Sequence, residues 1–97
     1  MLTREEVLTT LRKHKLTLQK KYPIASLELF GSYSRNEQTP ESDLDILVEF
    51  SEPVGFEFVD LLIDLEKIFE GTKIDLNSKK AIKPHYKPYI EGDLINV

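Results

Sequence analysis

Apolar residues recur along this chain with helical and strand periods in turn. Near the start, Val7, Leu11 and Leu18 fall at helical spacing and Tyr22 continues the face. Thr3, with Glu6 three residues later, has the form of a capping box, so a helix is predicted from there to Pro23, which cannot extend it. The run Ala25 to Phe30 reads as a strand that delivers the chain to Gly31. A second strand opens at Asp43: Leu44, Ile46, Val48 and Phe50 alternate with Asp43, Asp45, Leu47 and Glu49, which gives one plainly buried face. After a loop over residues 51–55, the clearest helical pattern runs from about Phe56 to Glu70. Phe58, Leu61, Leu62, Leu65, Ile68 and Phe69 form its apolar stripe, Glu57, Asp60, Asp64 and Lys67 its wet face, and Gly71 its stop.

The connecting segments are less regular. Ser34 to Ser42, polar and containing Pro40, is expected to form a short helix and then a loop with no part in the core. Phe56, Val59 and Ile63 widen the apolar sector of the second helix beyond what one sheet face needs. Two readings stay open there, a broad core contact or a surface for a partner. Around Asp75 a short third strand is expected, with Ile74 and Leu76 pointing one way and Asp75 the other. Pro84 and Pro88 limit the tail to short helical turns before a final edge strand, Leu94 to Val97. His85, beside Pro84 and Tyr86, reads as a surface or satisfied histidine rather than a base. Tyr86 and Tyr89 are expected to pack on the sheet in preference to forming a base-stacking wall.

Composition narrows the class. Ninety-seven residues, 40% of them hydrophobic, suffice for one core, so residues 1–97 are expected to form a single domain without a separate acceptor-binding domain. The absence of cysteine removes disulfides and thiol catalysis. No apolar run approaches the roughly 20 residues of a membrane span or the shape of a signal peptide, so the cytoplasm is the expected location and no membrane partner is expected. A net charge of −4 argues against a general nucleic-acid binder. The basic flank of the first helix, Arg12, Lys13, Lys15, Lys20 and Lys21, reads as a solvated face in preference to an acceptor-docking surface.

Chemistry concentrates between Phe30 and Phe50. Gly31-Ser32 closes an apolar strand and can open a helix whose free N–H groups face a triphosphate. Ten residues later stand Asp43 and Asp45, on one strand face. At roughly 3.3 Å rise per residue they start about 6.6 Å apart, and their carboxylates can converge on two metal ions about 3.5–4 Å apart. An Asp-x-Asp alone also occurs in glycosyltransferases, in calcium loops and as simple strand alternation. Here no glycine follows at calcium-loop spacing, and the Gly-Ser turn together with the later Asp75 favours phosphoryl or nucleotidyl transfer. Asp60 and Asp64, four apart on the wet face of a helix, are set aside as metal ligands.

These residues resemble the minimal nucleotidyltransferases (MNT) of the DNA polymerase β-like superfamily. The resemblance covers nearly the whole chain and rests on Gly31-Ser32, Arg35, Ser42-Asp43-Leu44-Asp45, the helix from Phe58 to Phe69, and Lys73-Ile74-Asp75-Leu76, in that order. Many relatives carry a basic residue after the serine and a glycine after the arginine, where this chain has Tyr33 and Asn36. Asn tolerates the left-handed conformation better than most residues, so the turn is expected to survive.

The resemblance implies an α/β (α+β, palm-like) fold, a small mixed or antiparallel sheet flanked by helices. It implies Asp43, Asp45 and Asp75 as catalytic metal ligands for two Mg²⁺ ions, with ATP as substrate and with Gly31, Ser32 and Arg35 contacting the polyphosphate. It also implies a role: many stand-alone MNT proteins are antitoxins that transfer AMP to a tyrosine of a HEPN-domain toxin, so a hetero-oligomer with such a toxin is expected. The alternatives are a non-catalytic subunit that neutralises its partner by occlusion, and nucleotidyl transfer to a small molecule or a nucleic acid 3′ end.

Overall fold

The structure is a computed structural model. It describes the whole chain except residues 83, 85 and 86 and the side chain of Tyr89, so the readings of His85 and Tyr86 and of the Tyr89 ring lie outside the described residues. Helix α1 (Arg4–Lys21) starts on the expected capping box: Glu6 N donates to Thr3 Oγ1 at 3.1 Å and Thr3 N to Glu6 Oε1 at 2.9 Å. Strand β1 (Ile24–Phe30) runs directly into α2 (Gly31–Ser34), a single turn. Strand β2 (Leu44–Phe50), helix α3 (Glu57–Ile68) and strand β3 (Ile74–Ser78) follow. A 3₁₀ turn (Lys79–Ala81), a short helix α4 (Lys87–Glu91) and strand β4 (Ile95–Asn96) complete the described chain.

The sheet is mixed, in the order β3-β2-β1-β4. β1 is antiparallel to β2 and β4, whereas β2 and β3 are parallel, a pairing that needs the crossover supplied by α3. One face carries Leu27, Leu29, Leu44, Ile46, Val48, Ile74 and Leu76 and packs against Val7, Leu11 and Leu18 of α1 and Leu61, Leu65 and Phe69 beside them. The other face carries Asp45 and Asp75 at one end. Further along it Leu47 is only 2% exposed, because the tail closes over it with Ile82, Ile90 and Leu94.

Two expectations are corrected and one open reading is decided. The short helix occupies Gly31–Ser34 rather than following Ser34; its Tyr33 joins the core, and Ser34 is buried as a polar residue. Phe56, Val59 and Ile63 are 85%, 49% and 42% exposed, which rules out the broad core contact. Asp64 is half-buried: it accepts hydrogen bonds from Tyr22 Oη at 2.6 Å and Lys21 Nζ at 2.7 Å, tying α3 to the end of α1. The neighbouring cation and hydroxyl hold its carboxyl below the usual carboxylate range.

Candidate active site

The site forms where the end of β1 meets the starts of β2 and β3. Gly31 has φ +76°, a conformation that side-chain-bearing residues rarely adopt. A Cβ there would overlap the Asp45 carboxylate and lie 2.9 Å from its Cγ. Glycine is therefore required at this position by the aspartate itself, in addition to any phosphate that approaches the backbone. Beyond Ser32 the turn closes through Glu37 N to Ser32 O at 2.8 Å, and Asn36 takes φ 60°, the left-handed conformation expected of the residue standing in for glycine.

Asp43 and Asp45 are positioned by two devices. Before β2, Ser42 closes a tight turn in which Thr39 N donates to Ser42 Oγ at 2.9 Å and Ser42 N to Thr39 O at 3.0 Å. Asp43 follows immediately, one residue ahead of the strand, and Leu44 N donates to Lys73 O at 2.8 Å to lock the entry of β2 against β3. Asp45 then pairs in register with Phe30 on one side and with Asp75 on the other. The first two aspartates thus sit two residues apart on adjoining backbone, and the third is supplied by the neighbouring strand.

Electrostatics distinguishes the three. Partial burial, a side-chain hydrogen bond with Asp75 and the charges of Asp75 and Asp43 push the Asp45 carboxyl up to about 7, against a smaller opposing pull from Arg35. Asp45, beside Asp75, therefore keeps its proton up to about neutral pH. Asp43, 40% exposed, instead faces Lys73 Nζ at 4.0 Å. Among the described residues no three acidic or histidine side chains are gathered into a ready metal cage. The donor chemistry nonetheless suits a hard divalent ion, since all three groups offer carboxylate oxygens. Binding such an ion would displace the proton that Asp45 holds.

Arg35 follows α2, where its Nη1 meets Asp93 Oδ2 at 2.5 Å and its Nε meets Glu37 Oε1 at 3.2 Å. Ser34 Oγ donates to the Asp93 carbonyl and Arg4 Nη1 to Ser34 O at 3.3 Å, so the phosphate-side turn is held by both ends of the chain. Asp93, Ser34 and Lys73 were not singled out from the sequence. Lys73 stands inside the Lys73-Ile74-Asp75 segment and could have been noticed, whereas Asp93 lies 58 residues from Arg35 with no local pattern to connect them. A cleft of about 440 Å³ opens beside Asp43, lined by Tyr33, Glu41, Ser42, Thr72 and Lys73 among others.

A mixed sheet with paired aspartates on its open face and a Gly-Ser turn against them is the layout of an enzyme that transfers nucleotidyl groups. Comparison with known proteins agrees. The model of the nucleotidyltransferase domain matches residues 11–96, and the chain belongs to that family. A Methanocaldococcus jannaschii protein, named provisionally as a protein adenylyltransferase, is 52% identical over 101 residues, all of this chain and all of that one. The protein adenylyltransferase MntA of Thermococcus cleftensis is 39% identical over 84 residues, 86% of this chain and 84% of that one. Among solved structures, a minimal nucleotidyltransferase superposes with a TM-score of 0.81 at 27% identity, covering 99% of this chain and 97% of the other. The fold also matches a chain of the complex between a tri-AMPylated Shewanella oneidensis HEPN toxin and its MNT antitoxin. There the TM-score is 0.67 at 19% identity, over 92% of this chain and 69% of that one.

Proposed function

We propose that this nucleotidyltransferase is a Mg²⁺-dependent protein adenylyltransferase that silences a HEPN-domain toxin by transferring AMP from ATP to a tyrosine hydroxyl. The observation that carries the reading is the in-register pairing of Asp45 with Asp75, next to Asp43 and against Gly31. The names of the relatives, protein adenylyltransferase in both cases, support the reaction class. The toxin complex whose fold this chain shares supports the partner.

In the reaction the tyrosine oxygen attacks the α-phosphorus of ATP, the bond from that phosphorus to the bridging oxygen breaks, and pyrophosphate leaves. Asp43, Asp45 and Asp75 would hold Mg²⁺, which when bound neutralises charge on the triphosphate and acidifies the attacking hydroxyl. Gly31 leaves the backbone open to the phosphates, and Ser32 offers its hydroxyl and amide. Arg35, beside the same turn, adds a positive charge that opposes the build-up of negative charge around Asp45. Asp75, exposed and in register with Asp45, would take the tyrosine proton.

Intact mass of a purified HEPN-domain partner, after incubation with this protein and ATP, tests the reading. The expected result is a partner heavier by one or more AMP units on tyrosine and no longer toxic. A silenced partner of unchanged mass, equally silenced by the Asp43→Asn variant, would replace transfer with occlusion.

A further inference from the structure

Helix α3 carries two apolar stripes. The inner one, centred on Leu61 and Leu65, is fully buried. The outer one, Phe56, Val59 and Ile63, follows the spacing i, i+3, i+7 and lies on the opposite side of the helix, facing solvent. Three large apolar side chains on one exposed helical stripe form the pattern by which a helix seats in a partner's groove.

The charges around the stripe identify its occupant. At 100° per residue, Asp60 flanks it on one side and Glu66 on the other, with Glu70 continuing its line past the helix end. None of these three acids has an ion-pair partner among the described residues. A shallow open depression lined by Ile63, Glu66, Lys67 and Glu70 lies on the same face. Lys67 supplies one positive charge against three negative ones, so a second copy docked through this stripe would bring six acids together against two lysines. Like-charge juxtaposition of that kind suppresses self-pairing.

We propose that the outer stripe of α3 is the surface on which a protein partner docks, through an apolar groove rimmed by Lys or Arg. Phe56, Val59 and Ile63 anchor it, and a basic side chain of the partner enters the depression, its stem on Ile63 and its head between Glu66 and Glu70. This rests on the proposed function for the identity of the partner, the HEPN-domain protein, and adds where that protein binds. The surface is separate from Asp45 and Asp75, which lie on the face of the sheet opposite α1 and α3.

Binding of the full-length HEPN-domain protein to this chain, measured by calorimetry, tests the inference. Ile63→Asp and the double variant Phe56→Ala with Val59→Ala should each weaken binding by about 30-fold or more, as for anchors at the centre of an interface. They should keep the wild-type circular dichroism, since these side chains already face water. Glu66→Lys with Glu70→Lys should slow association by about tenfold and flatten its salt dependence. Asp43→Asn should bind as the wild type does, because it touches only the transfer chemistry. Equal binding by the wild type and the α3 variants overturns the surface. So does a wild-type chain that forms dimers which Ile63→Asp dissociates. Failure of the wild type to bind the HEPN protein overturns the surface together with the partner assignment, whereas α3-dependent binding without any gain in mass overturns the transfer reading alone.

Discussion

The aspartate face of the sheet and the outer face of α3 are built on opposite principles. At the aspartates every position is over-determined: Gly31 is held at φ +76° against Asp45, Asp45 is paired on both sides, and Ser42 closes the turn that presents Asp43. On the outer face of α3 the stripe is left open, with Phe56 85% and Ile63 42% exposed. A site for bond-making needs fixed geometry, whereas a docking face needs only shape and charge that another molecule completes. Substitutions should therefore separate cleanly: changes at the first remove turnover, and changes at the second remove association.

The largest effect is expected at Gly31. Gly31→Val places a branched side chain in the left-handed region and in the volume of the Asp45 carboxylate, at a cost of about 2–4 kcal/mol of stability. Transfer should fall below detection. Thermal melting and single-turnover assays check both, and an intact Gly31→Val enzyme would remove the reason for the glycine. The contact itself is sharpened by a cycle: Gly31→Ala should destabilise less when Asp45 is also alanine, because the overlap is then gone.

Next in size is the loss of a metal-side charge. Asp43→Asn and Asp45→Asn should each lower turnover by about 10³-fold or more while leaving the fold intact. Asp45→Asn should in addition raise the melting temperature of the metal-free protein at pH 8. The folded protein binds the Asp45 proton more tightly than the unfolded chain does, since its carboxyl is raised to about 7. That contribution is full below about pH 4 and is lost as pH rises through about 7. Metal-free wild type should thus melt lower at pH 8 than at pH 5, and Asp45→Asn should flatten this difference. A wild type with no such slope would show that the Asp45 carboxyl is not raised.

Smaller again is Ser32→Ala, which removes one hydrogen bond to a charged phosphate, worth about 1.5–3 kcal/mol, and should slow transfer by roughly 10–100-fold. Asp93→Ala should have the least effect among the active-site changes, within about tenfold, because it only releases Arg35 at the surface. A larger loss than at Ser32 would mean that Asp93, rather than the Gly-Ser turn, sets the position of the phosphates.

The same contrast explains what could be read before the fold was known. The capping box and the stripe of α3 are local patterns found as expected, and the aspartates alternate as expected except that β2 opens at Leu44, one residue after Asp43. Asn36 is the clearest case, since a missing glycine at that position predicts the φ of 60° that is found. Tyr33 looked like a lost basic residue but is 3% exposed, because α2 begins two residues before it and turns the ring into the core. Asp64 looked like part of a wet face, yet the end of α1 comes beside it to supply Tyr22 and Lys21. Ser34 and Asp93 meet across 59 residues. Such contacts depend on how elements dock, which no short-range periodicity records.

The central claim is that Asp45, beside Asp75, holds a proton near neutral pH that a divalent ion displaces. It is tested most directly by following the carboxyl carbons of both residues by NMR from pH 4 to 9, with and without Mg²⁺ and a non-hydrolysable ATP analogue. Without metal, a titration near 7 is predicted for Asp45. With Mg²⁺ and nucleotide it should fall by about 2 units or more as the ion replaces the proton. An Asp45 that titrates near the ordinary carboxylate value of about 4, and does so whether or not Mg²⁺ is present, would contradict the account.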